Sequence, residues 1–329
     1  MNSKLWFALV LVTSLSVLQV GCGDDTDTGT DTGNSDTDTD ADTDTDSDAD
    51  SDTDVEAGAN GAVCDLNEGC LAGFCETFQG VPVDAEAVCA DGPGADQLRI
   101  LANVRDFYTE ETIADLEIKI TGALSAVMNP SGAPALATVT TDANGEFDVT
   151  GGTEFTTTPL GIVAIAEATD YYLTITGLVE PELEGGVYPQ GVRNHDIKAV
   201  SQAKLDEWSG MLASFDELAA YLPLGPAAGA VFGKIRYLED GSAVSGAVIT
   251  SESGSTSALI YYLNEAEDGF NQTETGGSGI FAMFNPGLAE RFVAMKDGVM
   301  VSRSPATVGQ TAGSIYAATI QVEGAAEAR

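Results

Sequence analysis

The sequence predicts an all-β protein: two antiparallel β-sandwich domains joined by a short helical connector and preceded by a disordered acidic tether. Three observations carry this. Apolar residues alternate with polar ones, in the manner of half-buried strands, through 97–200 and 227–323. Gly-rich turns punctuate both regions, and the chain holds 37 Gly, which suits many short strands better than long helices. Only Val200–Leu222 shows helical spacing of its apolar residues. A chain of 329 residues has room for about two domains of ordinary size.

Charge narrows the classes of partner. The formal net charge is −39, from 52 acidic and 13 basic residues, and no Lys or Arg occurs from Leu5 to Leu98. Nucleic acids and anionic membrane surfaces are held by basic patches, so this balance argues against nucleic acid and against electrostatic membrane adsorption.

Residues 1–21 read as a secretory signal, with Lys4 followed by the apolar run Leu5–Val12 and a softer section to Gly21. Thr13, Ser14, Ser16 and Gln19 make it too polar for a membrane-spanning helix of about 20 apolar residues. Leu18-Gln-Val-Gly-Cys22 resembles the lipobox of bacterial lipoproteins, with Gln19 standing where that family usually has Leu. The resemblance implies lipidation of Cys22, which becomes the first residue of the mature chain. Acyl chains anchor at ~0.8 kcal/mol per buried CH₂. Gly23 after the cysteine resembles lipoproteins passed on to the outer membrane, so the expected location is exported, lipid-anchored, at the outer membrane or cell surface.

Residues 22–60 are nearly all Asp, Thr, Ser and Gly and cannot bury enough apolar area to offset chain entropy. Such a coil spans on the order of 35 Å, more with charge repulsion, and forms a stalk. Its Asp runs lack the Gly and Glu spacing of calcium loops, so no metal is expected.

Residues 61–96 hold Cys64, Cys70, Cys75 and Cys89. Four cysteines clustered in an exported chain read as two disulfides with three possible pairings. The spacing has no C-x2-C knuckle and no His, which argues against zinc. Cys70-Leu-Ala-Gly-Phe-Cys75 resembles short Cys-x-x-Gly-x-Cys units of lipoproteins of myxobacteria and related groups, which implies a stapled spacer.

In the first β domain, residues 97–200, strands are expected from Leu98, at Leu116–Ile120, at Ala137–Thr141 and Glu146–Thr150 as a hairpin, and at Gly161–Glu167 and Tyr171–Thr176, with Leu173 and Ile175 inward. The hairpin turn is Asp142–Gly145, where Asp, Asn and Gly accept tight-turn conformations. Thr141-Asp-Ala-Asn-Gly145-Glu-Phe147 resembles the Thr-x-x-x-Gly-x-Phe motif of carboxypeptidase regulatory-like, or transthyretin-like, β-sandwich domains. The resemblance implies that Gly145 makes the turn and Phe147 enters the core. Asp142 and Asn144 look like the start of a calcium loop, but no ligand-bearing continuation follows.

The connector, residues 201–226, carries Leu205, Trp208, Leu212, Phe215, Leu218 and Leu222 on one stripe, closed by Pro223. Gly210 and a capping-box pattern at Ser214-x-x-Glu217 suggest two helices broken near Ser209-Gly210. The stripe is expected on a sheet edge or the domain junction; a partner-binding helix is the sharper reading.

The second β domain, residues 227–323 before a tail at 324–329, repeats the motif. Gly233-Lys-Ile-Arg-Tyr-Leu-Glu-Asp-Gly241 and Ala243-Val-Ser-Gly-Ala-Val-Ile249 resemble the opening strands of a carboxypeptidase regulatory-like domain, and Thr275-Gly-Gly-Ser-Gly-Ile-Phe281 stands in for the turn motif. Both domains are therefore expected to be Ig-like or transthyretin-like sandwiches.

No reaction is legible. The single His, His195, has Asp196 beside it, but adjacent strand residues point to opposite faces. Nucleophile-elbow, zinc-protease and P-loop motifs are absent, and the catalytic domain that regulatory-like domains accompany is missing. The expected function is a non-enzymatic surface lipoprotein without cofactor, a structural or adhesive spacer or docking module for envelope proteins or polysaccharide. The alternative is a carbohydrate-binding module that stacks sugars on Tyr171, Tyr172, Tyr237, Tyr261, Tyr262 and Trp208.

Overall fold

The computed structural model describes residues 62, 75–79, 88–89, 97–156, 160–179, 191–303 and 305–324, without the side chains of 75–79, Val88, Thr153, Thr156, Val179 and 191–196. The signal, the lipobox with Cys22, the tether, Cys64 and Cys70 lie outside these residues.

The first half contains β1 (Cys75–Gln79), β2 (Val88–Cys89), β3 (Leu98–Asp106), β4 (Glu117–Gly122), α1 (Ala123–Met128), β5 (Ala137–Thr140), β6 (Glu146–Gly151), α2 (Thr153–Thr156), β7 (Ile162–Ala168), β8 (Tyr171–Val179) and β9 (Gly191–Ser201). There follow α3 (Gln202–Leu212) and a 3₁₀ helix (Asp216–Tyr221). The second half contains β10 (Ala230–Tyr237), β11 (Ala247–Ser251), β12 (Leu259–Leu263), β13 (Phe270–Asn271), β14 (Ile280–Phe284), β15 (Glu290–Lys296), β16 (Val299–Met300), β17 (Ala306–Val308) and β18 (Ile315–Val322). The protein is mostly β, as the alternation predicts.

Each half is a sandwich. In the first, Ile118, Ile120, Ile162 and Ala164 from β4 and β7 face Leu98, Ile100, Val104, Phe147 and Ile197 from β3, β6 and β9. In the second, Ile249, Phe292 and Ala294 from β11 and β15 face Val231, Ile235, Phe281 and Ile320 from β10, β14 and β18. Burial of side chains this size stabilises by about 1.5–3 kcal/mol each. Leu173 and Ile175 are buried on the opposite face of their sheet, under α1 and Ala133 rather than in the sandwich core.

Most neighbouring strands are antiparallel. Among the described residues, however, four pairs are parallel: β1 with β9, β3 with β9, β10 with β18, and β18 with β8. The last joins the halves, so one 14-stranded sheet runs through both and only β11, β15, β16 and β17 form a separate sheet.

The two turn motifs do not close hairpins. β5 pairs with β4 and β6 with β3, so Asp142–Gly145 carries the chain from one layer of the sandwich to the other. The threonine makes this crossing. Thr141 donates its N–H to Leu116 O (3.0 Å), accepts the Leu116 N–H at Oγ1 (2.9 Å) and donates that hydroxyl to Ile113 O (2.8 Å). Thr275 repeats all three with Ala247 N–H, Ala247 O and Val244 O, at 3.0, 2.9 and 2.7 Å. Gly145 and Gly279 then turn with φ of 78° and 66°, a region that suits residues without Cβ. Their carbonyls accept Val104 N–H and Ile235 N–H on the other layer at 2.8 and 2.9 Å. The two halves are thus one structural unit used twice.

The connector breaks at Ala213–Phe215, after α3, rather than at Gly210. Ser214 does not cap: its hydroxyl donates to Met211 O, and no side chain caps the 3₁₀ helix. Glu217 instead accepts the Tyr261 hydroxyl at 2.8 Å. Among the described residues no helix is long and apolar enough to cross a membrane.

Candidate functional site: the seam between the repeats

The loop after β3, residues 106–111, leaves the first sandwich and grips the second. Asp106 folds it, its Oδ1 accepting the N–H groups of Tyr108 and Thr109 at 2.8 Å each. Phe107 and Tyr108 are thereby turned onto α3. Trp208 stacks on Phe232 at 4.8 Å and meets the edges of Phe107, Tyr108 and Phe270 at 5.9, 6.2 and 6.5 Å. Leu205, Trp208, Leu212 and Leu218 are all buried here. The connector stripe therefore packs on the face of the second sandwich and on the junction, with these four side chains buried and Phe215 and Leu222 half-buried.

Glu110 closes the grip. Its carboxylate receives Lys198 from β9 of the first repeat, and Lys234 and Arg236 from β10 of the second. The lysine side chains are 2% and 5% exposed and the glutamate 26%, so the cations are buried and the carboxylate sits at the edge of the cluster. Lys234 also lies over the Phe107 ring at 5.0 Å. Burial pushes the Glu110 carboxyl up, but Lys198, Lys234 and Arg236 outweigh that and hold it below the usual carboxylate range. Burial pulls the Lys234 ammonium down to about 8, against the attraction of Glu110.

The backbone under this carboxylate is strained. Glu110 has φ 64°, and its N–H donates to Asp106 O. The matching turn of the second repeat, where Gly241 N–H donates to Tyr237 O, holds that conformation with a glycine at φ 68°. A side chain at such a position costs on the order of 1–2 kcal/mol. From this position the Glu110 carboxylate reaches Lys198, Lys234 and Arg236 together.

Tyr108 donates to Glu267 at 2.6 Å under the Lys204 ammonium, 3.8 Å from the ring centroid. That hydrogen bond, with burial, pushes the phenol up to about 12. All of these charged groups are committed to one another, and what the arrangement does is hold two repeats in one register.

The residues singled out from sequence lie elsewhere. Cys75 and Cys89 sit opposite each other on β1 and β2, with Cys89 buried. His195 and Asp196 fall on β9, with side chains outside the described residues. Asp142 uses its carboxylate within the turn, Oδ1 accepting the N–H groups of Asn144 and Glu146 at 2.8 and 2.9 Å, and the second of these bonds contributes most to holding it below its ordinary range. Trp208, Tyr261 and Tyr262 are 1%, 0% and 2% exposed, so half of the proposed sugar platform is core. Sequence reasoning missed Glu110, Lys198, Lys234 and Arg236. The available signal was scarcity: with 13 basic residues in the chain, three on alternating strands mark buried charge.

No family model matches the chain, and no curated protein is similar to it in sequence. Among solved structures, the shaft pilin SpaA of Lactobacillus rhamnosus GG is 10% identical over 70% of this chain and 99% of that one, with a TM-score of 0.19. The TIE protein of Bacillus anthracis is 9% identical over 69% of this chain and 34% of that one, at 0.21. A group B streptococcus pilus 2b backbone protein is 12% identical over 38% and 47%, also at 0.21. TM-scores of this size carry no argument, and the fold rests on the pairing and packing above.

Proposed function

We propose that this chain is a non-enzymatic structural module of a bacterial cell envelope, anchored through a lipid on Cys22, held off the surface by the acidic tether, and presenting two carboxypeptidase regulatory-like repeats as one body. The observation that carries the reading is the seam. A continuous sheet, an aromatic cluster around Trp208 and a four-residue charge cluster bind the repeats into one unit, which suits a structural spacer. The cysteine segment would staple tether to sandwich with two disulfides; its support is that Cys75 and Cys89 lie opposite each other on β1 and β2 and that β1 pairs with β9 of the first sandwich. Burial of Trp208, Tyr261 and Tyr262 weighs against sugar stacking.

The test is fractionation of bacteria expressing the full chain or Cys22→Ser. The wild-type chain is expected in the membrane fraction and accessible to protease added to whole cells, and the variant in the soluble fraction. Equal membrane association of both sinks the anchor, and protection from external protease sinks the surface location.

A further inference from the structure

The internal repeat shows what one sandwich has and the other lacks. In the second repeat β14 lies between β10 and β12, with Ala282 opposite Tyr261 and Phe284 opposite Leu259. In the first repeat, among the described residues, β6 pairs with β3 alone, and the segment corresponding to β12 is taken up by α1 and the Pro130–Pro134 loop. The bond from Val104 N–H to Gly145 O sets the alternation along β6. It turns the N–H and C=O of Asp148 and Thr150, the counterparts of Ala282 and Phe284, away from β3. Among the described residues nothing hydrogen-bonds these four groups.

The rim around this edge is shaped for a strand. Inside, Leu136, Ala137, Val139 and Val149 are only half-buried where β5 and β6 diverge. In the second repeat Tyr262 of β12 reaches into the same gap, where its hydroxyl oxygen accepts the Ile249 N–H at 2.8 Å. Outside, Glu146 and Asp148 are exposed, with Asp142 on the adjoining turn. Arg99, at 2.7 Å from Asp148, is the cation facing them.

We propose that the free edge of β6 is a docking site for an extended segment of a partner protein in which apolar residues alternate with Lys or Arg. The strand adds antiparallel to β6, as β12 does to β14, with its apolar side chains on Leu136, Val139 and Val149 and its basic ones on Glu146 and Asp148. Charge decides against a second copy, because the chain carries −39 and like charges would face each other across a β6–β6 pair. The proposal does not depend on where the chain is anchored.

The probe is a seven-residue peptide alternating Leu or Tyr with Lys, with a scrambled peptide of the same composition and a Glu-for-Lys version as controls, added to the full chain. Hydrogen exchange at the Asp148 and Thr150 amides should slow at least tenfold with the alternating Lys peptide and not with either control. Thr150→Pro, which removes an N–H that has no partner among the described residues, should weaken binding at least tenfold, and Asp148→Lys should favour the Glu peptide over the Lys one. The second variant keeps the backbone donor, so the test survives if the proline variant does not fold. Equal protection by the scrambled peptide, or protection confined to other strands, overturns the site. A dimer in sedimentation that Thr150→Pro abolishes overturns the choice of partner in favour of a second copy.

Discussion

Replacing Glu110 separates two opposed contributions that meet at one residue. Glu110→Gln keeps the shape but leaves Lys198, Lys234 and Arg236 without their shared anion. Removing one partner of a buried ion pair costs about 3–5 kcal/mol; Glu110 is 26% exposed, which places the expectation toward the lower end, near 3 kcal/mol. Glu110→Ala should lose a similar amount and retain the strained backbone. Glu110→Gly loses the same charge but takes up the conformation of Gly241, and should be more stable than the alanine variant by about 1 kcal/mol. Urea unfolding followed by the fluorescence of Trp208, packed against Phe107 beside the cluster, reads all three. The order wild type, then glycine, then alanine is required. A loss below about 1 kcal/mol for Glu110→Gln, no larger than for an exposed ion pair, would refute the keystone role.

Three further outcomes follow from the same geometry. Gly279→Ala should cost more than Gly145→Ala, because a Cβ would stand 2.5 Å from Ile235 O in the first case and 3.0 Å from Val104 O in the second; both should exceed about 1 kcal/mol by thermal unfolding, and equal costs would contradict the packing. Thr141→Val and Thr275→Val each remove a hydroxyl that serves Leu116 N–H and Ile113 O, or Ala247 N–H and Val244 O, and each should lose about 1–3 kcal/mol; urea midpoints that barely move would show that the crossing does not need the threonine. Lys234, drawn down to about 8 in the fold, holds its proton less firmly there than in the unfolded chain, so this group makes stability rise with pH between about 8 and 10.4. The urea midpoint of the wild type should therefore gain on that of Lys234→Met from pH 7.5 to 9.5, and a relative loss would reverse the assignment.

Much of the fold was legible because side-chain alternation and burial coincide. Ile118 and Ile120 on β4, and Phe147 on β6, fall where period two puts them. The repeat was also legible, since Thr, Gly and Phe recur in both turns. The layer crossing was not. Asp-Ala-Asn-Gly is an equally good hairpin turn, and only the bonds of Thr141 to Leu116 and Ile113, distant in sequence, pull the two arms into different layers. β9 was missed because Arg193-Asn-His-Asp196 lacks apolar alternation, and its place beside β3 comes from a parallel pairing that no local pattern announces. The seam was hidden for a related reason. Lys198 and Lys234 look like outward residues of ordinary strands until the 106–111 loop is laid over them. The catalytic inventory was read from single residues, whereas the charge cluster exists only through contacts spanning more than 120 positions between Glu110 and Lys234 or Arg236.

The parallel pairings have a mechanical consequence. In each repeat the strand that enters, β3 or β10, lies parallel to the strand that leaves, β9 or β18. Tension along the chain draws these two strands past each other lengthwise. The ladder then bears force along its whole length at once, and its bonds cannot open one after another from an end. Eight residues on each side are matched in the second repeat, from Ala230 with Ile315 to Tyr237 with Val322, so that sandwich resists being pulled from its ends through the whole of that register.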